Sequence, residues 1–277
     1  MKPIILDGTV VSNEMKANLK SRVKLLKQRD VVPCLATILV GDNPASETYV
    51  RMKGKACEEI GIKSVRVHLP IELTTNELIN SIERLNADPS IHGILLQHPV
   101  PEHINERQAF EAINTEKDVD GVTSSGYGQT AFGIGHFPSC TPSAIIKILN
   151  YYNIPIKGKH AVVVGRSPIL GKPVSALLLN EDATVTTCHS KTENLAEILK
   201  MGDIVIGAVG RPEFIQGDWL KKGVIVLDAG YNKGNIGDVD YKSCYGIASA
   251  ITPVPGGVGP VTIATLLEHT VLSAENL

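Results

Sequence analysis

Lys53 is the residue in this chain whose type and position most clearly allow chemistry. It stands in "SETYVRMKGKACEEIG", residues 46–61. At about 100° per residue, Tyr49, Val50, Met52, Ala56, Cys57 and Ile60 share one arc, apolar except for Lys53 near its middle. Arg51, Lys55, Glu58 and Glu59 fall outside it. A lysine held away from water has a lowered pKa and exchanges protons near neutral pH. Tyr49, one turn earlier on the same side, would position both the amine and a flat substrate. A lysine that lays its stem over apolar surface and reaches out to water gives the same pattern, so spacing alone leaves both readings open.

Further polar groups stand where α/β folds place their sites, just beyond strand carboxyl ends. Gln97 ends "HGILLQ", and Asp118 and Asp120 lie in "KDVDG". A capped strand end accounts equally well for the glutamine, and Asx turns for the aspartates. The loop "TPVPGGVGP", residues 252–260, contains Pro255, Gly256 and Gly257. It is stiff yet free of bulk, which suits close backbone approach to a ligand or a tight interdomain turn.

A second chemistry is written in "HAVVVGRSPILGKP", residues 160–173. An apolar strand runs into a glycine turn and then a helix, the setting for a dinucleotide pyrophosphate, although G-x-G-x-x-G is absent. NAD sites carry an acidic residue roughly 20 positions on. Here "ATVTTC" ends instead in His189, Ser190 and Lys191. Arg166 offers a planar fork suited to a phosphate, and Ser190 and Lys191 would join it, which favours NADP over NAD. A solvated arginine in an ordinary turn is the plainer alternative. Gly171 would let the following helix pack closely, with Leu170, Val174, Leu177 and Leu178 on its inner side.

The whole chain supplies the frame for these groups. Its 277 residues allow one large domain or two ordinary ones. A 43% hydrophobic share with 4% aromatics favours aliphatic α/β layers. A net charge of −2 with no long basic run argues against nucleic acid or an anionic membrane as partner. Cysteines 34, 57, 140, 188 and 244 form no C-x-x-C, so no metal site is expected and a reducing cytoplasm fits. No signal peptide is apparent, and no apolar run approaches the roughly 20 residues that cross a bilayer.

Helix periodicity covers residues 12–28, with Met15, Leu19, Val23 and Leu26 on one stripe. A buried strand at 33–41 follows, then a helix at 46–60 capped by Ser46. Next come a strand at 64–69, a helix opened by a Thr74/Glu77 capping box, and a strand at 91–97. This βαβαβ order predicts a parallel sheet. Residues 121–140 are glycine-rich and aperiodic and read as a connection between domains. A helix from Thr141 to about 151 opens a second alternating series, with strands near 161–164, 183–187, 203–208 and 223–228. The last helix opens at Pro260. The fold class is therefore α/β with two domains.

Together, "YVRMK", "GILLQHPVP", "KDVDG", "CTP", "VVVGRS", "TVTTCHSKT" and "ITPVPGGVGP" occur in an order that resembles the methylenetetrahydrofolate dehydrogenase/cyclohydrolase family. The resemblance runs from about residue 4 to residue 272. It implies a cytoplasmic homodimer of one-carbon metabolism, serving purine biosynthesis. Such an enzyme oxidises 5,10-methylenetetrahydrofolate with NADP and hydrolyses the 5,10-methenyl product to 10-formyltetrahydrofolate. It also implies a folate-binding domain, 1–139 with 269–277 returning to it, a Rossmann-type NADP domain, 140–268, and an active-site cleft between them.

By the resemblance Lys53 is the acid/base group, Tyr49 stacks on folate, Gln97 tunes the lysine and Asp120 bonds the pterin. Pro255, Gly256 and Gly257 then join the substrate site, and Gly165, Arg166, Ser167 and Ser190 bind NADP. Tyr231 stands where the family has an isoleucine whose backbone meets the nicotinamide. Other departures are His98 for leucine, Ala144 for glycine, and Pro138 shifted by one place. A monofunctional dehydrogenase would keep the NADP turn but lack the lysine–glutamine pair. A non-enzymatic NADP sensor would have no reason to keep Lys53 on an apolar arc. A shikimate-type reductase would lack "KDVDG" and "PVPGGVGP".

Overall fold

The computed structural model describes residues 2–134 and 137–276. The chain divides into two compact units. One is Met1–Asn13, Gln129–Ile134 and Thr141–Thr262, and the other is Glu14–Gly128, Gly135–Cys140 and Ile263–Leu277. Among the described residues each unit holds one parallel sheet, of six strands in the first and three in the second. No helix there is long and apolar enough to cross a membrane.

Chain order begins with β1 (Ile4–Ile5), α1 (Gly8–Lys27), β2 (Cys34–Val40), α2 (Pro44–Ile60) and β3 (Lys63–Leu69). Then come α3 (Thr75–Ala87), β4 (Gly93–Leu96), α4 (Glu106–Glu111) and α5 (Ser124–Ala131). In the three-stranded sheet the order is β3-β2-β4. All seven residues of β2 are buried, as a central parallel strand covered on both faces requires. Leu19, Val23 and Leu26 of α1, Ala56, Cys57 and Ile60 of α2, and Leu35 and Leu95 of the sheet share one core. The expected capping box opens α3: the Thr74 amide donates to Glu77 Oε2 at 2.7 Å and the Glu77 amide to Thr74 Oγ1 at 3.3 Å.

Three local expectations are corrected. The cap of α2 is Asn43 rather than Ser46, because Asn43 Oδ1 accepts the Ser46 amide at 3.1 Å and Pro44 takes the first helical position. Met52 is 47% exposed and leaves the apolar arc that keeps Val50, Ala56, Cys57 and Ile60 buried. The aperiodic segment 121–140 contains α5; its Gly135 and His136 lie outside the described residues. Side-chain caps start that helix where hydrophobic spacing is silent: Thr123 Oγ1 accepts the Gly126 amide, and Glu111 accepts the Ser124 amide and hydroxyl.

The larger sheet is formed after α6 (Cys140–Tyr151) by β5 (His160–Val164), α7 (Gly171–Asn180), β6 (Thr184–Cys188), α8 (Leu195–Leu199) and β7 (Ile204–Gly207). It is completed by β8 (Ile225–Asp228), α9 (Tyr241–Tyr245) and β9 (Ala250–Ile251), before α10 (Val258–Glu275). Strand order is β1-β9-β8-β7-β5-β6. From β5 the chain steps outward to β6 and then to the other side at β7, so the order reverses at β5. Open α/β sheets bind ligands beyond strand carboxyl ends at such a point. Compared with the expected domain bounds, the first thirteen residues group with the large sheet, where Ile4 pairs with Ala250. From Ile263 onward α10 groups with the smaller unit, whose core includes its Leu266, Leu267, Val271 and Ala274.

Candidate active site

In the smaller unit α2 carries Lys53 half-buried, and its Nζ donates to Gln97 Oε1 at 3.1 Å. Gln97 directly follows β4, and its backbone amide extends the ladder by donating to Ile38 O at 2.9 Å. Its side-chain Nε2 donates to His98 O at 2.7 Å. Both ends of the 7%-exposed carboxamide are thereby used, which fixes its oxygen toward the amine. Burial pulls the Lys53 pKa down, and the Asp120 charge opposes that shift without cancelling it. Beside it, burial pushes the Cys57 thiol up to about 12, so that neighbour is neutral. Tyr49 is half-buried one turn before Lys53. His98 donates from Nδ1 to Glu106 Oε1 at 2.6 Å, and the same oxygen accepts the Val100 amide at 3.2 Å.

The two aspartates of "KDVDG" divide the labour. Asp118 is 1% exposed and makes the turn: Oδ1 accepts the Val122 amide at 3.1 Å and Oδ2 the Thr123 amide at 2.8 Å. Asp120 stays half-buried, and its charge acts on both Lys53 and Cys140. Between the aspartates, Val119 O accepts two bonds, from Cys140 Sγ at 3.1 Å and from His269 Nδ1 at 2.9 Å. A carbonyl only accepts, so Nδ1 carries the hydrogen. Burial and Asp120 hold the Cys140 thiol well above its usual range, hence neutral. Sequence reasoning gave neither Cys140 nor His269 a place here. The "CTP" motif marked the cysteine, but nothing near His269 in the chain signals a site, since it arrives from α10.

In the larger unit the turn after β5 sits at the reversal of strand order. Gly165 has φ +134°, and a Cβ there would lie 2.0 Å from Ala208 O. Only glycine allows the turn to lie flat on the end of β7. Gly171 is equally crowded, but against the turn itself: its Cβ would meet Gly165 O at 2.2 Å. Val174 and Leu178 of α7 are fully buried, whereas Leu170 and Leu177 are partly so. Ser167 Oγ accepts the Gly171 amide at 3.4 Å.

Val164 pairs with Cys188, and Gly165 N donates to Cys188 O at 2.9 Å. Arg166 and Ser190 therefore follow neighbouring strand ends in step, both exposed, with exposed Lys191 beside them. A cationic fork, a hydroxyl and an ammonium beside a glycine cradle suit a phosphate. The 252–260 loop is in this unit too. Gly256 O accepts the Gly8 amide at 2.8 Å, and a Cβ on Gly8 would strike Gly257 O. Its glycines thus admit the start of α1. Tyr231 is 56% exposed, and its hydroxyl donates to Asn235 Oδ1.

Comparison with known proteins adds independent findings. Residues 6–120 match the tetrahydrofolate dehydrogenase/cyclohydrolase catalytic domain, and residues 139–277 match the NAD(P)-binding domain of the same family. A relative named bifunctional protein FolD, from Shouchella clausii, is 64% identical over 274 residues, covering 99% of this chain and 98% of its own length. The crystal structure of the bifunctional enzyme FolD from Campylobacter jejuni superposes with TM-score 0.96 at 48% identity, covering 98% of each chain. The Trypanosoma brucei enzyme, solved with NADP and an inhibitor, gives 0.96 at 37% identity, covering 100% of this chain and 98% of its own. The chain belongs to the tetrahydrofolate dehydrogenase/cyclohydrolase family.

Proposed function

We propose that this protein oxidises 5,10-methylenetetrahydrofolate with NADP and hydrolyses the resulting 5,10-methenyl cation to 10-formyltetrahydrofolate. The observation that carries the reading is the 3.1 Å bond between Lys53 Nζ and Gln97 Oε1, on an amine whose pKa burial lowers. Relatives with this whole-chain similarity are named bifunctional, and the lysine–glutamine pair is what a purely dehydrogenating enzyme would not need.

The folate-binding role falls to the three-stranded unit and the NADP role to the six-stranded one, whose bounds differ from the expected 1–139 with 269–277 and 140–268 chiefly at residues 1–13 and 263–268. The Gly165–Ser167 turn, with Arg166, Ser190 and the Tyr231 backbone, would hold NADP, which would supply the hydride acceptor. Tyr49 stacks on the folate, Asp120 accepts from the pterin, and the backbone at Pro255, Gly256 and Gly257 lines the substrate. The first step chiefly needs positioning. In the second, water oxygen bonds to the methenyl carbon and Lys53 takes the water proton. As the carbon–N5 bond breaks, that proton goes to N5 and the formyl group stays on N10, one further proton leaving to solvent. Gln97 holds the amine where both transfers occur. The protein acts as a cytoplasmic homodimer, which light scattering at working concentration checks.

The test follows NADPH and methenyl absorbance together after adding methylenetetrahydrofolate and NADP. The wild-type protein is expected to raise NADPH while the methenyl signal stays low. With Lys53→Met, hydrolysis of added methenyltetrahydrofolate is expected to fall by roughly 10²-fold or more. A variant that hydrolyses at the original rate removes Lys53 from the mechanism.

A further inference from the structure

Two carboxylates lie buried along the carboxyl edge of the six-stranded sheet, and the chemistry above gives neither a task. Asp228 closes β8 at 4% exposure, and Asp238 is at 0%. Asp238 Oδ2 accepts the Val209 and Gly210 amides at 2.6 and 2.8 Å, and its Oδ1 accepts the Arg211 amide at 3.0 Å. Three consecutive amides of the loop leaving β7 thus converge on one side chain. The same Oδ1 accepts from Asn232 Nδ2 at 3.0 Å, and Asn232 belongs to the loop leaving β8. Asp228 in turn holds Asp238: its Oδ1 accepts the Gly230 and Asp238 amides at 2.9 and 3.0 Å, and its Oδ2 accepts the Val239 amide at 2.9 Å. The backbone is fitted around the pair, since a Cβ on Gly230 would lie 2.2 Å from Asp238 Cγ and one on Gly237 1.9 Å from Asp228 Oδ2.

We propose that Asp238 is a positioning residue for NADP, tying the loops that leave β7 and β8 so that both meet the cofactor already formed. Strand order puts the ends of β6, β5, β7 and β8 in a row, so these loops continue the edge that carries Ser190 and Gly165–Ser167. The β7 loop touches the phosphate turn directly, Ala208 O being where a Gly165 Cβ would stand. An exposed loop containing Gly210 at φ +64° would otherwise sample many shapes, and ordering it on binding would cost affinity. Three amides bonded to one buried side chain remove that cost in advance.

The inference rests on the reading of this edge as the NADP site, and the experiment separates the two. NADPH binding is titrated by fluorescence on the wild-type protein and on Asp238→Asn, alongside dehydrogenase kinetics and cofactor-free hydrolysis of methenyltetrahydrofolate. Asp238→Asn is expected to raise the KM and Kd for NADP(H) by about tenfold, the scale of one hydrogen bond to a charged group. Its kcat at saturating NADP and its hydrolysis rate are expected to stay within about twofold of wild type. Asn232→Ala, which removes the tie to the β8 loop together with the Nδ2 bond to Ile236 O at 3.2 Å, is expected to raise the NADP KM by about threefold, and it decides the matter if Asp238→Asn folds poorly. A wild-type protein that binds no NADPH overturns the site and the inference together. Normal wild-type binding with an unchanged KM in a well-folded Asp238→Asn, or in Asn232→Ala, overturns the inference alone.

Discussion

Lys53 illustrates how little of a side chain's chemistry is its own. On paper it is one of two lysines in α2; in the fold a glutamine amide on β4's far end holds it and burial strips its water. A lowered folded-state pKa means that the ammonium opposes folding at neutral pH. The stability it contributes is present above the unfolded lysine value and lost as pH falls through the lowered one. Lys53→Met is therefore expected to leave thermal stability unchanged or raised, so lost hydrolysis in that variant reflects chemistry. Arg166 is the opposite case, being exposed. Its proposed role is confined to a ligand phosphate. Arg166→Ala is expected to cut the NADP/NAD preference in kcat/KM by roughly tenfold or more, since a guanidinium–phosphate pair is a charge-assisted bond. An unchanged preference would remove the 2′-phosphate assignment.

Elements set these positions through close backbone approach. The turn from β5 to α7 needs Gly165 both for its φ of +134° and because Ala208 O occupies the Cβ site. Gly158 separates the two effects: its φ of +71° also disfavours a side chain, but nothing stands within 4 Å of a Cβ there. Gly158→Ala is expected to cost about 1 kcal/mol of conformational strain. Gly165→Ala must also move backbone, so its denaturation midpoint is expected to fall further and its NADP KM to rise. Equal midpoints for the two variants would show that the contact with Ala208 yields freely. The same contrast explains α5, a helix without hydrophobic periodicity that exists because Thr123 and Glu111 satisfy its first amides.

Across the whole molecule, buried carboxyls shape the response to pH. Asp228 is pushed up to about 6, first by burial, against the amide bonds that favour its charge. Unfolded, it titrates near 4. The folded state binds that proton more tightly, so the contribution is complete below about pH 4 and lost as pH rises through about 6, amounting to about 3 kcal/mol at most. Glu106, which burial raises but His98 and the Val100 amide together hold below its usual range, works the other way and loses its contribution on acidification. Urea midpoints between pH 4 and 7 check this: Asp228→Asn is expected to flatten the part of the curve that wild type loses on going up, and an identical slope would refute it. Much of this molecule was legible from residues alone. Alternating apolar runs predicted parallel α/β layers, and Thr74 and Glu77 announced a helix start, because each of these signals is local to its element. His269 beside Cys140, Asp238 binding three amides of a distant loop, and the meeting of Lys53 with Gln97 carry no such local signal. They join groups from separate strands and helices, and only the packing that brings those elements together, by burying their apolar faces, decides which polar atoms end up within reach.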